Sequence, residues 1–120
     1  MTSYKNLNVW ILSMKTVNEI YNLTKFYPKS EIYGLISQSN RAAVSIPSNI
    51  AEGLGRNHKK DTMQFLHISR GSAYELETLL SVALMVNLID REKYDKVSDI
   101  LDNNIRVLNG FINYVEQKSN

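Results

Sequence analysis

Histidine is the first residue type that could do chemistry in this sequence. The two histidines are His58 and His67, and Gly55 and Gln64 stand three positions before them. Di-iron and di-manganese sites in helical bundles use Glu-x-x-His pairs, so neither histidine completes such a site. The chain has no Cys, which excludes a disulfide framework, a thiolate zinc site, an iron–sulfur centre and a Cys nucleophile. We therefore predict no metal site and no cofactor.

Serine, glycine and acidic residues also lack the spacing that catalysis needs. No Gly-x-Ser-x-Gly nucleophile elbow is present, and Gly53 with Gly55 lacks the second half of a phosphate-loop or dinucleotide motif. Asp99 and Asp102 stand one helical step apart, which is typical of a solvated helix face. We therefore predict that the protein is not an enzyme.

Four apolar patterns organise the chain that must position these residues. They occupy residues 7–24, 32–50, 65–86 and 94–115. In each pattern apolar residues recur at three- and four-residue steps, and no segment alternates with period two over the length of a strand. Because the links between the patterns are short, we predict an all-α protein. We expect a single domain over residues 1–120, folded as an antiparallel up-down-up-down four-helix bundle with a Pro-kinked second helix.

Proline, glycine and asparagine mark the helix ends. Pro47 lies inside the second pattern and predicts a kink or a break in the turn before it. Gly53 and Gly55 follow as a stop signal, with backbones free to take positive φ. Asp61 is expected as the cap or first-turn acid of the third helix. Asn87 is expected to end that helix.

The apolar patterns also predict which faces point inward. On the first helix the predicted inward residues are Leu7, Trp10, Met14, Val17, Tyr21 and Thr24, with Ile11 and Ile20 widening the face. On the third helix they are Phe65, Ile68, Leu76, Leu79, Val82 and Val86, with Leu66, Leu80 and Ala83 widening the face towards all-round burial. An interface with another copy is expected at Trp10, Tyr74 or Leu80, because apolar residues there exceed what one bundle core needs.

Several polar residues fall on the predicted inward faces. They are Ser39, Asn49, Ser72, Glu75 and Asn104. An inward Glu must find a partner or become protonated. One interpretation is a buried polar network that fixes the register of the helices or orders a binding surface. Its members would be Arg41, Asn49, Glu52, Ser72 and Glu75. The other interpretation places these residues, hydrated, at the rim of the bundle or at a subunit interface.

The charge is uneven along the chain. Lys and Arg number 14 against 12 Asp and Glu, a net charge of +2. Residues 1–70 hold nine Lys or Arg against four acidic residues, whereas residues 71–120 hold five against eight. Basic residues in a loop can neutralise phosphates, although such a loop can also serve solubility alone. The predicted nucleic-acid contacts are the loop residues Arg56, Lys59 and Lys60 and the flanking residues Arg41 and Arg70.

The sequence shows neither a secretory signal nor a membrane segment. Residues 1–8 are polar and lack the apolar stretch of a signal, and no apolar run approaches the ~20 residues of a membrane helix. We therefore expect a cytoplasmic protein.

The residues around these positions resemble those of a known family. The matching stretches are Tyr27–Leu35, Arg41–Gly53 and Gly71–Glu77, with Leu7–Trp10 near the start. They are similar to the bacterial four-helix bundle proteins encoded within intervening sequences of 23S ribosomal RNA genes, which are often labelled S23 ribosomal protein. The likeness spans nearly the whole chain.

This resemblance implies a ring, commonly a pentamer with a central pore. In a related branch, the accessory variability proteins of diversity-generating retroelements, a basic pentameric barrel binds nucleic acid and a reverse transcriptase. By that likeness the five cations named above would contact nucleic acid. The sequence differs from the family at Asn40, where a second basic residue is common, and at Asn87, where Gly often ends the third helix.

Two functions from different classes fit the sequence. The leading hypothesis is a non-enzymatic homo-oligomer that binds RNA or a nucleoprotein through its basic loops. The alternative is a protein–protein adaptor or scaffold with no nucleic-acid role. Neither hypothesis involves a membrane.

Overall fold

Four α-helices account for most of the protein. The computed structural model describes residues 3–119, and no strand occurs among them. The helices are α1 (Asn8–Thr24), α2 (Ser37–Leu54), α3 (Lys59–Met85) and α4 (Arg91–Gln117). Short helical turns at Tyr4–Asn6, Lys29–Glu31 and Ile32–Ile36 precede α1 and α2. Each helix packs on the next in sequence, and α1 packs on α4, so the predicted all-α four-helix bundle is confirmed.

The short links make consecutive helices antiparallel. Each of α3 and α4 has 27 residues, which at ~1.5 Å per residue gives a length of about 40 Å. The molecule measures 47 Å along its long axis, so each of these helices runs nearly the full length. One end of the bundle carries the link from α2 to α3 and is called the α2–α3 loop end. The other carries the link from α3 to α4 and is called the α3–α4 loop end.

Helix α2 does not break at its proline. It is continuous from Ser37 to Leu54 with Pro47 inside, so of the two predicted alternatives, a kink or a break before Pro47, the break is excluded. The non-helical backbone lies instead at Gly34, with φ −110° and ψ −116°. Pro47 is buried, and the Ser69 hydroxyl of α3 donates to the Ile46 carbonyl oxygen at 2.8 Å. We attribute the continuity of α2 in part to this hydrogen bond from α3, which satisfies the Ile46 carbonyl next to the proline.

Asn87 ends α3 as the sequence predicts. Its φ of 64° is the left-handed conformation of a helix C-cap. The Leu88 amide donates to the Ala83 carbonyl at 2.8 Å, and the Asn87 amide donates to the Leu84 carbonyl at 3.1 Å. These two bonds are those of a Schellman motif. The prediction for the end of α2 is only half right, because Gly55 follows the helix with φ −86° and no glycine in residues 3–119 takes positive φ.

The buried faces of α1 and α3 agree only in part with the predicted ones. The residues buried on α1 are Val9, Ser13, Thr16, Ile20, Leu23 and Thr24. Those buried on α3 are Thr62, Leu66, Ser69, Ala73, Leu76, Leu80 and Ala83. Met14, Tyr21 and Ile68, predicted inward, are 42%, 44% and 47% exposed. The core therefore takes small and hydroxyl side chains from these helices, and several large apolar ones lie outside it.

Asn104 joins α4 to α1 inside the core. It is 1% exposed, and its Nδ2 donates to the Ser13 Oγ at 3.0 Å. The Thr16 Oγ1 donates to the Asn104 Oδ1 at 2.8 Å. The Ser13 Oγ in turn donates to the Val9 carbonyl at 2.7 Å. Each polar group has a partner, so the buried amide sets the register of α4 against α1.

Small residues bring α2 close to α3. The Thr62 Oγ1 donates to the Gly53 carbonyl at 2.8 Å, across the helix pair. A Cβ at Gly53 would lie 2.9 Å from the Phe65 Cβ and 3.1 Å from the Thr62 carbonyl oxygen. Gly53 is therefore required for close approach of the two helices and not for a turn.

Tyr27 is buried next to the start of α2. It is 5% exposed, and burial raises the pKa of Tyr27 to about 12 because the phenolate would lose its hydration. Its hydroxyl and that of buried Ser39 have no hydrogen-bond partner within residues 3–119. Tyr27 is therefore a neutral core residue near physiological pH.

Substitution of two glycines by alanine distinguishes the effect of helix propensity on stability from the effect of close helix packing. Gly53→Ala should lower the free energy of unfolding by about 1–3 kcal/mol, because the added methyl group overlaps α3. Gly71→Ala is the matched control, since a Cβ there meets nothing within 4 Å. Gly71→Ala should raise the free energy of unfolding by about 0.5–1 kcal/mol, because alanine favours the helix more than glycine does. Urea denaturation measures the free energy of unfolding of both variants. Equal effects at the two sites would contradict the packing argument.

Candidate nucleic-acid interface

The five cations predicted to contact nucleic acid do not form one cluster. Arg56, Lys59 and Lys60 lie together at the α2–α3 loop end, around the link between the two helices. Arg41 lies near the start of α2, about 20 Å from that end at ~1.5 Å per residue. Arg70 lies near the middle of α3. Proximity in sequence to the loop therefore does not bring Arg41 or Arg70 to it.

Arg56 is held against the start of α3. Its Nη2 lies 3.1 Å from the Glu52 Oε2, one helical turn earlier. Its guanidinium also sits 4.7 Å from the centre of the Phe65 ring. The Arg56 and Glu52 side chains are both solvent-accessible, so their ion pair adds little to the free energy of unfolding. The two contacts orient the guanidinium at the surface, where it keeps N–H groups for a phosphate.

Lys59 and Arg70 bind within the chain. The Lys59 Nζ donates to the main-chain oxygens of Glu116 and Lys118 at 2.9 and 2.8 Å, at the end of α4. The last carbonyls of a helix lack intrahelical partners, so this ammonium caps α4. The Arg70 Nη1 donates to the Asn109 Oδ1 of α4 at 3.2 Å. Lys59 and Arg70 thus both join α3 to α4, whereas Arg41, Arg56 and Lys60 are exposed.

The predicted polar network is only partly assembled. Ser72 of α3 lies 2.7 Å from Ser45 of α2, oxygen to oxygen. The Asn49 Nδ2 donates to the Ser45 Oγ at 2.9 Å, so Ser45 links Asn49 to Ser72. Ser45 was not among the predicted members of this network. Its position four residues before Asn49, on the same helix face, is the signal that could have revealed it.

The three charged members of that predicted network are exposed. Glu52 pairs with Arg56, and Glu75 does not point inward as predicted. Glu75 is exposed because the buried line of α3 passes through Ala73 and Leu76. Arg41 and Glu75 instead line a polar cleft of about 320 Å³ between α2 and α3, with both serines in its wall. The charged residues are therefore exposed in the single chain and are not part of a buried network.

An apolar groove runs between α1 and α2. It measures about 340 Å³ and is lined by Tyr4, Trp10, Met14, Val17, Val44, Pro47, Ser48 and Ala51. Val44 is 39% exposed. Val44 and Met14 are therefore both apolar side chains in contact with solvent. Trp10, predicted as an interface residue, lies in this groove. Leu80 is 2% exposed in the core, so its predicted place at an interface is wrong, whereas Tyr74 is 46% exposed.

Within residues 3–119, no three His, Cys, Asp or Glu side chains are grouped so that they could hold a metal ion. No helix in this part of the chain is both long and apolar enough to span a membrane.

These features define a four-helix bundle protein with a basic loop end and an exposed apolar groove. The chain belongs to the 23S rRNA-intervening sequence protein family, whose model matches residues 5–110. The fold is also similar to the crystal structure of a protein of unknown function from the S23 ribosomal protein family of Bacteroides thetaiotaomicron. That similarity has a TM-score of 0.77 and 25% sequence identity, and covers 87% of this chain and 97% of that one. Comparison with curated protein sequences finds no match.

The position of Lys59 leads to a stability prediction. Lys59→Met should lower the free energy of unfolding by about 1 kcal/mol, because the last carbonyls of α4 lose a charged donor. Lys60→Met, one residue along and exposed, is the control and should change it by less than about 0.5 kcal/mol. Urea denaturation followed by circular dichroism measures both. A loss at Lys60 as large as that at Lys59 would show that the cap is not the cause.

Proposed function

We propose that the protein is a non-enzymatic homo-oligomer that binds structured RNA or a nucleoprotein through its α2–α3 loop end. The observation that carries this proposal is the placement of Arg56 and Lys60, both exposed, on either side of one short link. Exposed cations grouped on a loop bind phosphates through salt-dependent contacts. The family of the chain is named for intervening sequences of 23S rRNA, which supports ribosomal RNA as the ligand to test first.

The two termini add cations to the same end. Lys5 precedes α1 and Lys118 follows α4, and both are exposed. In an antiparallel bundle the start of α1 and the end of α4 lie at the α2–α3 loop end. The acidic residues Glu52, Asp61 and Glu116 lie there too. One chain therefore offers a modest positive surface, which suits contacts repeated over several copies better than one tight site.

Self-association of the chain repeats these phosphate contacts over several copies. The apolar groove between α1 and α2 leaves Met14 and Val44 partly in water, and covering them by a second copy removes that apolar surface. In a ring, a rotation axis relates the copies and brings all equivalent loops to one face. Weak phosphate contacts then act together on one RNA molecule and raise its apparent affinity. We propose a ring, with five copies as the expected number.

Charge reversal at the loop tests the RNA-binding proposal. The Arg56→Glu, Lys60→Glu double variant should weaken binding to 23S rRNA fragments about tenfold or more at low salt, because phosphate contacts are lost. Lys59 is left intact because it caps α4. Filter binding across a salt series measures the affinity and its salt dependence.

The control places the same change elsewhere. Lys15→Glu with Arg106→Glu alters two exposed cations on α1 and α4, between the two loop ends, by the same total charge. This variant should keep affinity within about threefold of the unmodified chain. Absence of salt-dependent RNA retention, or equal losses in the two double variants, would contradict the proposal.

The polar cleft between α2 and α3 supports the second candidate, a protein–protein adaptor. Arg41 and Glu75 line the cleft without an ion pair between them in the described residues. Side chains of opposite charge in one cleft can bind a partner that carries both charges. Co-purification of one defined protein that survives nuclease treatment, and is lost in Arg41→Ala, would favour this function over RNA binding.

A further inference from the structure

Phe26 is an exposed aromatic residue that the bundle does not use. It follows α1 at the α3–α4 loop end, and its side chain is 69% exposed. Its ring belongs to the walls of two clefts, one of about 120 Å³ between α1 and α4 and one of about 390 Å³ beside the α3–α4 link. A large apolar ring left in water beside two clefts offers a flat surface for another ring.

Two lysines of α4 surround this ring. The Lys93 Nζ lies 5.2 Å from the centre of the Phe26 ring, a cation–π distance. Lys96, one helical turn further, lines the smaller cleft together with Leu23 and Val97. The Lys93 Nζ is also 3.9 Å from the Asp90 Oδ2, a long and solvent-exposed ion pair that leaves the ammonium able to take a second anion.

We propose that Phe26, Lys93 and Lys96 form a stacking site for one unpaired nucleobase of a single-stranded RNA segment. The base stacks on the Phe26 ring above Leu23 and Val97, and the two ammonium groups contact its phosphates. This combination of an aromatic ring with adjacent cations is how proteins bind single strands without reading a long sequence. The inference rests on the proposed RNA-binding function and assigns a second, distinct subsite to it.

Polar groups in the smaller cleft give the site a base preference. The Glu19 carboxylate accepts hydrogen bonds only, and the Asn22 amide both donates and accepts. The exocyclic amine of adenine can donate to Glu19, and the two fused rings of adenine stack on Phe26 over a larger area than the single ring of uracil. We therefore expect oligoadenylate to bind more tightly than oligouridylate.

The smaller cleft suits a nucleobase better than a peptide helix. Its volume of about 120 Å³ accommodates one flat ring, whereas a helix needs a long groove for several anchors. The site also lies at the opposite end of a molecule 47 Å long from Arg56 and Lys60. An RNA that carries both a structured part and an unpaired part can therefore occupy the two ends of a bundle at once.

Substitution of the ring tests the stacking site. Fluorescence anisotropy with short labelled oligoadenylate, oligouridylate and an RNA duplex measures the affinities. Phe26→Leu should weaken oligoadenylate binding about fivefold or more and change duplex binding by less than about twofold, because only unpaired bases stack on the ring. Phe26→Trp keeps an aromatic ring at this position and should therefore retain the binding of oligoadenylate.

Tyr33→Leu is the matched control. Tyr33 is another aromatic residue from the segment before α2, is 96% exposed, and does not line the clefts described. It should leave oligoadenylate binding within about twofold. Equal effects of Phe26→Leu and Tyr33→Leu on oligoadenylate binding would overturn the stacking site. If the duplex still binds in a salt-dependent way, the proposed function stands. No binding of any RNA would overturn both.

Discussion

Close approach of the helices is the constraint on which the rest of the structure depends. At Gly53 the space between α2 and α3 does not admit a methyl group without a shift of Phe65 or the α3 backbone. Between α1 and α4 the buried volume is filled partly by Ser13, Thr16 and Asn104, whose hydrogen bonds are satisfied. A core of this kind is narrow, and its polar groups specify one register where apolar side chains would permit several.

The narrow core moves large apolar side chains to the outside. Trp10, Met14 and Val44 line a groove on the α1–α2 surface instead of filling the centre of the bundle. Close packing of the helices also affects the pattern of surface charge, because Lys59 and Arg70 of α3 form hydrogen bonds to α4. What remains outside is the apolar groove and the short basic link. The proposed function follows from these two surfaces together.

Helix number, order and several ends were predictable from the sequence, because local spacing and caps determine them. Asn87 adopts the predicted left-handed cap. The inward faces were not predictable on α1 and α3. Hydrophobicity ranks Met14 above Ser13 for burial, whereas the hydroxyl is small enough for the core and bonds to its own helix. The roles of Lys59 and Arg70 depend on α4, which is distant in sequence, so no local pattern reveals them.

The mass of the protein in solution tests the central claim, that apolar side chains displaced from the core form a self-association surface. Light scattering after gel filtration at micromolar concentration should give a multiple of 13.8 kDa. Met14→Lys should reduce it to the single chain, whereas Ile11→Lys, equally exposed on α1 but outside the groove, should not. A mass of 13.8 kDa for the unmodified chain, or dissociation by both variants alike, would contradict the account.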